Sequence, residues 1–134
     1  MSSNVSAIWS GSARSTKKKS DSAPFSGNSG NSGGGILGSG TLTVTNSTFS
    51  GNSASSFGGG VFNNLGSVAF THSTVTANQG EGGFNGEGAI ELKNTILVAN
   101  LGPLDLLSAL PTDVHSGGFN LLGTSTAAVV AGPG

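Results

Sequence analysis

GTLTVTNSTFSGN, residues 40–52, is the stretch on which the fold turns. Thr41-Leu42-Thr43-Val44-Thr45 alternates polar and apolar side chains, the period of a strand with one face buried. Gly40, Asn46, Gly51 and Asn52 punctuate it with residue types that suit tight turns. The same pattern returns as GSVAFTHSTVTAN at 66–78 and as GAIELKNTILVAN at 88–100, aligned without a gap.

The aligned columns keep their chemistry. Leu42, Val68 and Ile90 share one, Val44, Phe70 and Leu92 the next, and Phe49, Val75 and Leu97 a third. Phe25 fits the third column one repeat earlier. Asn52, Asn78 and Asn100 form a polar column, which Asn28 precedes. A glycine pair and an apolar residue stand ahead of each unit, as Gly34-Gly35-Ile36, Gly59-Gly60-Val61 and Gly82-Gly83-Phe84. Gly117-Gly118-Phe119 reads as a fourth such step.

One such unit cannot bury its apolar face alone, but stacked units can, each strand pairing in parallel with its copy about 4.8 Å above. A repeat of roughly two dozen residues with several short strands per turn predicts an all-β, right-handed parallel β-helix (a solenoid) of about four coils, a piece of a longer one. The apolar columns become core stacks. The Asn column becomes an internal amide ladder, because a buried amide left without partners costs about 1–3 kcal/mol.

Composition excludes much else. Gly, Ser, Thr and Asn make up more than half of the 134 residues, and 8% are charged. Glycine disfavours long helices. A net charge of −1 gives no basic surface for nucleic acid. No apolar run approaches the ~20 residues of a membrane span. With no Cys there is neither a disulfide nor a thiolate site.

The F-x-x-N steps Phe25-Ser26-Gly27-Asn28 and Phe49-Ser50-Gly51-Asn52, each followed by a Gly-Gly-apolar step, resemble the repeat of polymorphic outer-membrane proteins. The wider GGGILGSGTLTVTNSTFSGNSA resembles bacterial right-handed parallel β-helix proteins of the pectin-lyase-like superfamily. LKNTILVAN with the later SGGFNLLG is similar to the last coils of surface proteins with a choice-of-anchor region. The resemblance covers about residues 25–126. It implies an extracellular or outer-membrane location and a carbohydrate or host-surface ligand. The fold itself hosts lyases, hydrolases, adhesins and stalks alike.

Residues 1–24 do not follow the repeat and read as a disordered or atypical leader, without the apolar core of a secretory signal. They hold Trp9, Arg14 and Lys17-Lys18-Lys19. Residues 101–116 read as a loop inserted between coils, with a helical turn at Leu104–Ala109. Residues 127–134 read as a short tail.

Chemistry is sparse. Pectate-lyase-type catalysis on such a fold would need an acidic calcium cluster and a strand-borne Arg or Lys, yet the one Arg precedes the coils and Lys93 is the basic residue within them. Hydrolases of this fold would need clustered Asp, and residues 25–100 contain none. Glu91 and Lys93, two apart on one strand, suggest a surface ion pair. Glu87 with Glu91 is a weak carboxylate pair, and Asp113 with His115 a weak acid/base or metal pair. His72 shares the turn column of Asn46 and Asn94. Gly33–Gly38 matches G-x-G-x-x-G, but a strand rather than a helix follows. Thr41, Thr43 and Thr45 suggest an ice-binding row that Ser67, Ala69, Ala89 and Glu91 then interrupt. Asn46-Ser47-Thr48 is a sequon of the kind that chance produces in so Asn- and Ser-rich a chain.

The balance leans away from an enzyme, toward a non-catalytic surface or secreted β-helix acting as a rigid display or adhesion scaffold, with no cofactor and no metal site. The alternatives are a fragment of a carbohydrate-active lyase or hydrolase, and an ice-binding solenoid.

Overall fold

Alternation along 41–45 becomes a strand whose Leu42 and Val44 point inward and are buried, while Thr41, Thr43 and Thr45 face out. The computed structural model describes residues 18–21, 24–86, 88–108, 114–125 and 130–131. Each of the first three turns runs through three strands, one in each of three sheets. The first turn comprises β1 (Lys18–Asp21), β2 (Pro24–Ser26) and β3 (Ser29–Gly30). Next come β4 (Ile36–Thr45), β5 (Thr48–Ser50) and β6 (Ser53–Phe57), then β7 (Val61–Thr71), β8 (Thr74–Thr76) and β9 (Gln79–Glu81). The chain continues with β10 (Phe84–Gly86), β11 (Ile90–Lys93), β12 (Ile96–Leu97), β13 (Leu106–Ser108), β14 (Val114–Ser116), β15 (Leu121–Leu122) and β16 (Val130–Ala131).

Each strand pairs in parallel with its copy in the next turn. The large sheet runs β1-β4-β7-β11-β14-β16, with β10 set between β7 and β13. A second runs β15-β12-β8-β5-β2, and a third β3-β6-β9. The protein is a parallel β-solenoid of about four turns, all-β among the described residues.

The register brings like residues together. Leu42 faces Val68, which faces Ile90, and Val44, Phe70 and Leu92 follow in step. Phe25, Phe49, Val75 and Leu97 form the third row, and Leu122 extends it. These side chains fill one continuous core. Phe25 stacks on Phe49 with ring centroids 4.6 Å apart, and Phe49 meets Phe70 edge-on at 6.3 Å.

The unequal repeat lengths have definite locations. Ser53 pairs with Gln79 but Phe57 with Glu81, so β9 is two residues shorter than the matching part of β6. The turn into β10 drops one more, since Phe57 to Val61 is matched by Glu81 to Phe84. A bulge drops the last. Asn63 to Gly66 in β7 takes one residue more than Gly38 to Gly40 before it or Gly86 to Gly88 after it.

Three segments differ from their sequence reading. The solenoid begins before residue 25, because β1 pairs Lys18 with Leu42 and Asp21 with Thr45. Residues 101–116 are not simply an inserted loop. Leu106–Ser108 pairs with Phe84–Gly86 as a strand where a helical turn was expected, and Val114–Ser116 pairs with Ile90–Leu92. Gly117-Gly118-Phe119 is not a fourth copy of the Gly-Gly-apolar step. That column passes to Leu104-Asp105-Leu106, because Gly83 N donates to Leu104 O and Phe84 pairs with Leu106. Gly117-Gly118-Phe119 instead forms the bend after β14, where Phe119 is one residue in excess and 92% exposed.

Candidate functional site

Two kinds of polar row run along the solenoid, inside and outside. The inner one is built on the Asn column. Asn52 and Asn78 are buried, at 1% and 0% exposure. Asn28 Nδ2 donates to Asn52 Oδ1 at 3.0 Å, Asn52 Nδ2 to Asn78 Oδ1 at 2.9 Å, and Asn78 Nδ2 to Asn100 Oδ1 at 3.0 Å. Each Oδ1 also accepts the backbone N–H of the preceding Asn, at 3.0–3.1 Å. Two donors converging on one atom fix which amide atom is oxygen. The other amide hydrogens reach back to carbonyls, Asn52 to Phe25 O and Asn78 to Phe49 O.

The row ends on a carboxylate. Asn100 N and Asn100 Nδ2 both donate to Asp105 Oδ1 at 2.8 Å. Thr124 N and Thr124 Oγ1 donate to Asp105 Oδ2 at 2.9 and 3.1 Å. Burial pushes the Asp105 carboxyl up. The hydrogen bonds from the Asn100 and Thr124 backbones and side chains outweigh it and hold the group below the ordinary aspartate range.

A second inner row lies beside the first. Ser47, Ser73 and Thr95 are each buried, at 2% exposure, and bond back to the carbonyls of Thr45, Thr71 and Lys93. Ser47 N donates to Ser73 Oγ, and Thr95 N to Asn120 Oδ1. The residue before each hydroxyl, Asn46, His72 or Asn94, takes a φ of 50, 50 or 49° and points outward, with Asn94 and His72 2.9 Å apart. His72 is thus a turn residue, but its hydrogen bond runs to Asn94 of the next turn rather than to a local group.

Gly35 and Gly60 let the chain pass between the Asn row and the next turn. A Cβ on Gly60 would lie 2.8 Å from Gly83 O and 3.1 Å from Asn78 Nδ2, and one on Gly35 2.7 Å from Gly60 O. That closeness is why the column is glycine.

The outer rows carry the surface chemistry. On the large sheet Thr43, Ala69, Glu91 and His115 are successive register partners. Beside them Thr41 pairs with Ser67, and Val68 N donates to Ala89 O in the next turn. Because Ser67, Ala69 and Ala89 are small, the face dips into a shallow groove of ≈ 410 Å³, with Glu91 and His115 at one end. Lys93 is exposed beyond it on β11, and among the described residues no ion pair joins it to Glu91. The threonine row lasts one turn. On the outer face of the second sheet Thr48 and Thr74 give way to Ile96 and Leu121, 42% and 58% exposed.

Trp9, Arg14, Lys17, Glu87, Asp113 and most of the 127–134 tail lie outside the described residues, so the pairings of Glu87 with Glu91 and of Asp113 with His115 have no described geometry. Among the described residues no three His, Cys, Asp or Glu side chains gather as a metal site, and no helix is long and apolar enough to cross a membrane. Sequence reasoning missed the hydroxyl row, though Ser47, Ser73 and Thr95 stand in one aligned column. It also missed Asp105 and Asn120, which continue the Gly-Gly-apolar and hydroxyl columns with a different residue type and so leave no repeat signal.

The stacked turns and internal ladders define the class, a parallel β-solenoid with internal polar rows. Comparison with protein-family models, with curated proteins and with solved structures found no match to this chain.

Proposed function

We propose that the chain is a rigid, non-catalytic display module, which offers the outer face of its large sheet to a carbohydrate or a cell-surface ligand. The observation that carries this reading is the groove over Ser67, Ala69 and Ala89. It is shallow, floored by small side chains and edged with the hydroxyl, carboxylate and imidazole groups of Thr41, Glu91 and His115. Such an edge suits hydrogen bonding to a hydroxyl-rich surface. The inner amides and hydroxyls are satisfied within the chain, so the ladders hold shape while the exterior binds. The resemblance to right-handed β-helices of the pectin-lyase-like, polymorphic outer-membrane and choice-of-anchor type supports placement at a cell surface or in secreted form.

The test is a panel of soluble and immobilised polysaccharides, run against the wild type and Ala69→Trp. The indole would fill the groove from outside without entering the core. Binding by the wild type and its loss in Ala69→Trp support the reading. Equal binding by both proteins, or none by either, overturns it. Incubation of the same panel with calcium, followed by reducing-end and unsaturated-end assays, addresses the enzyme alternative. Glycan cleavage abolished by Glu91→Gln would replace display with catalysis.

A further inference from the structure

Asp105 is a buried carboxylate that the display reading does not use. It holds the repeat position that Gly35, Gly60 and Gly83 hold in earlier turns, and it joins the end of the Asn row to residues 121–125. Its Oδ1 takes both donors of Asn100, the last amide of the inner row. Its Oδ2 takes both donors of Thr124, two residues beyond β15. The attachment is reciprocal, because Asp105 N donates to Thr124 O at 2.9 Å and to Thr124 Oγ1 at 3.2 Å. A glycine follows β15 because a Cβ on Gly123 would collide with Asp105 Oδ2.

Asn100 N, Asn100 Nδ2 and Thr124 N can only donate, so a proton on Oδ1 would meet N–H groups with nothing to accept it. Thr124 Oγ1 can also accept, as it does from Asp105 N, but taking a proton from Oδ2 would end the bond it now gives and leave every N–H facing a neutral acid. The segments packed around Asp105 are 98–104, 121–125 and β10, and none carries an ionisable side chain. Glu81 is exposed at the end of β9. Among the described residues, the segments around Asp105 thus bring no other charge to replace the one that protonation removes. The other attachments of residues 121–125 are uncharged: Leu121 N and Gly123 N donate to Thr95 O and Leu97 O, Leu106 N donates to Thr124 O, a bridge joins Ser125 to Leu106, and Leu122 packs against the core.

The geometry points to a latch. Ionised Asp105 clamps residues 121–125 to the end of the Asn row, and protonated Asp105 releases them while the preceding turns stay folded. The lowered proton affinity of the native carboxyl agrees in sign. Release occurs only below the ordinary aspartate range, as pH falls through the native value.

Amide hydrogen exchange on the full chain, resolved by segment and corrected for intrinsic rates, tests this between pH 6 and pH 2.5. Protection of residues 121–125, relative to residues 61–76 of the same molecules, is expected to fall at least about tenfold across the acid step. In Asp105→Asn the same segment is expected to be weakly protected at every pH, with no step. A constant protection ratio in the wild type overturns the latch, whatever the variant does. So does an acid step that survives in Asp105→Asn. Thr124→Val keeps the backbone donor and serves as a milder variant; it should shrink the pH 6 protection while keeping the step, and an unchanged value there also counts against the clamp.

Discussion

At the scale of single residues, the inner amides and the outward turn positions make opposite demands. Asn78 accepts from Asn52 N and Nδ2 and donates to Asn100 Oδ1, Phe49 O and Thr76 O. Asn78→Ala therefore orphans buried donors in the turn before it, and a loss of about 3 kcal/mol or more is expected in urea denaturation. Asn46→Ala, at an exposed bend, should cost markedly less; equal losses would show that the ladder adds nothing special. The opposite sign is expected at two exposed alanines. Ala77 and Ala99 both hold a φ of 55°, where the earlier turns place Gly27 and Gly51. Ala77→Gly and Ala99→Gly should each raise stability by about 0.5–1 kcal/mol, read as a shift in the urea midpoint, because the strain removed exceeds the entropy added to the unfolded chain. Asp105 contributes a pH dependence. Its native carboxyl binds a proton less readily than the unfolded chain does. Its stabilisation is complete above about pH 4 and drains as pH falls through the lower native value. An acid titration of unfolding free energy should show this loss, and Asp105→Asn should flatten it.

At the scale of strands and turns, register matters more than length. Asn64 lies in the bulge where β7 takes one residue more than its neighbours. Deleting Asn64 restores the neighbouring spacing and should cost about 1 kcal/mol or less. Deleting Ala69, inside the paired stretch, turns every later side chain of β7 to the wrong face and should abolish folding. Circular dichroism and thermal melts of the two deletions separate these outcomes. The same distinction explains what was legible in the sequence. Leu42, Val68 and Ile90 were readable as a stack because the gap-free copies keep alternation and chemistry together. Residues 101–116 were not, because the strands at Leu106–Ser108 and Val114–Ser116 lack the Gly-Gly and Asn markers of earlier turns. Gly117-Gly118-Phe119 misled for the converse reason, as a bend that happens to spell the marker. The groove was illegible too. It arises where Ser67, Ala69 and Ala89 from different turns coincide, and only the register reveals that small side chains meet there.

At the scale of the whole molecule, cohesion comes from stacked apolar rows, backbone ladders and polar rows, with little charge involved. Only 8% of the residues are charged. Thermal stability at pH 7 should therefore change by only a few degrees between 0.05 and 0.5 M salt, a range over which exposed ion pairs are strongly screened. A large salt dependence in calorimetry would contradict a fold held together without charge networks. Each turn contacts its neighbours rather than a common centre, as expected of a quasi-one-dimensional stack.

The amide row also has a direction. From Asn28 on, each Asn side chain donates toward the next rung, and Asn52, Asn78 and Asn100 accept from the one before, so the amide dipoles point the same way from Asn28 to Asn100. They add, much as peptide dipoles add along a helix, and each hydrogen bond polarises the next. The positive end of this column lies at Asn100, and there the chain places Asp105, the one buried acid among its described residues. A negative charge at that spot steadies the rungs behind it as well as the contact it touches. Neutralising it should weaken the column in a graded way, most at Asn100 and least at Asn28.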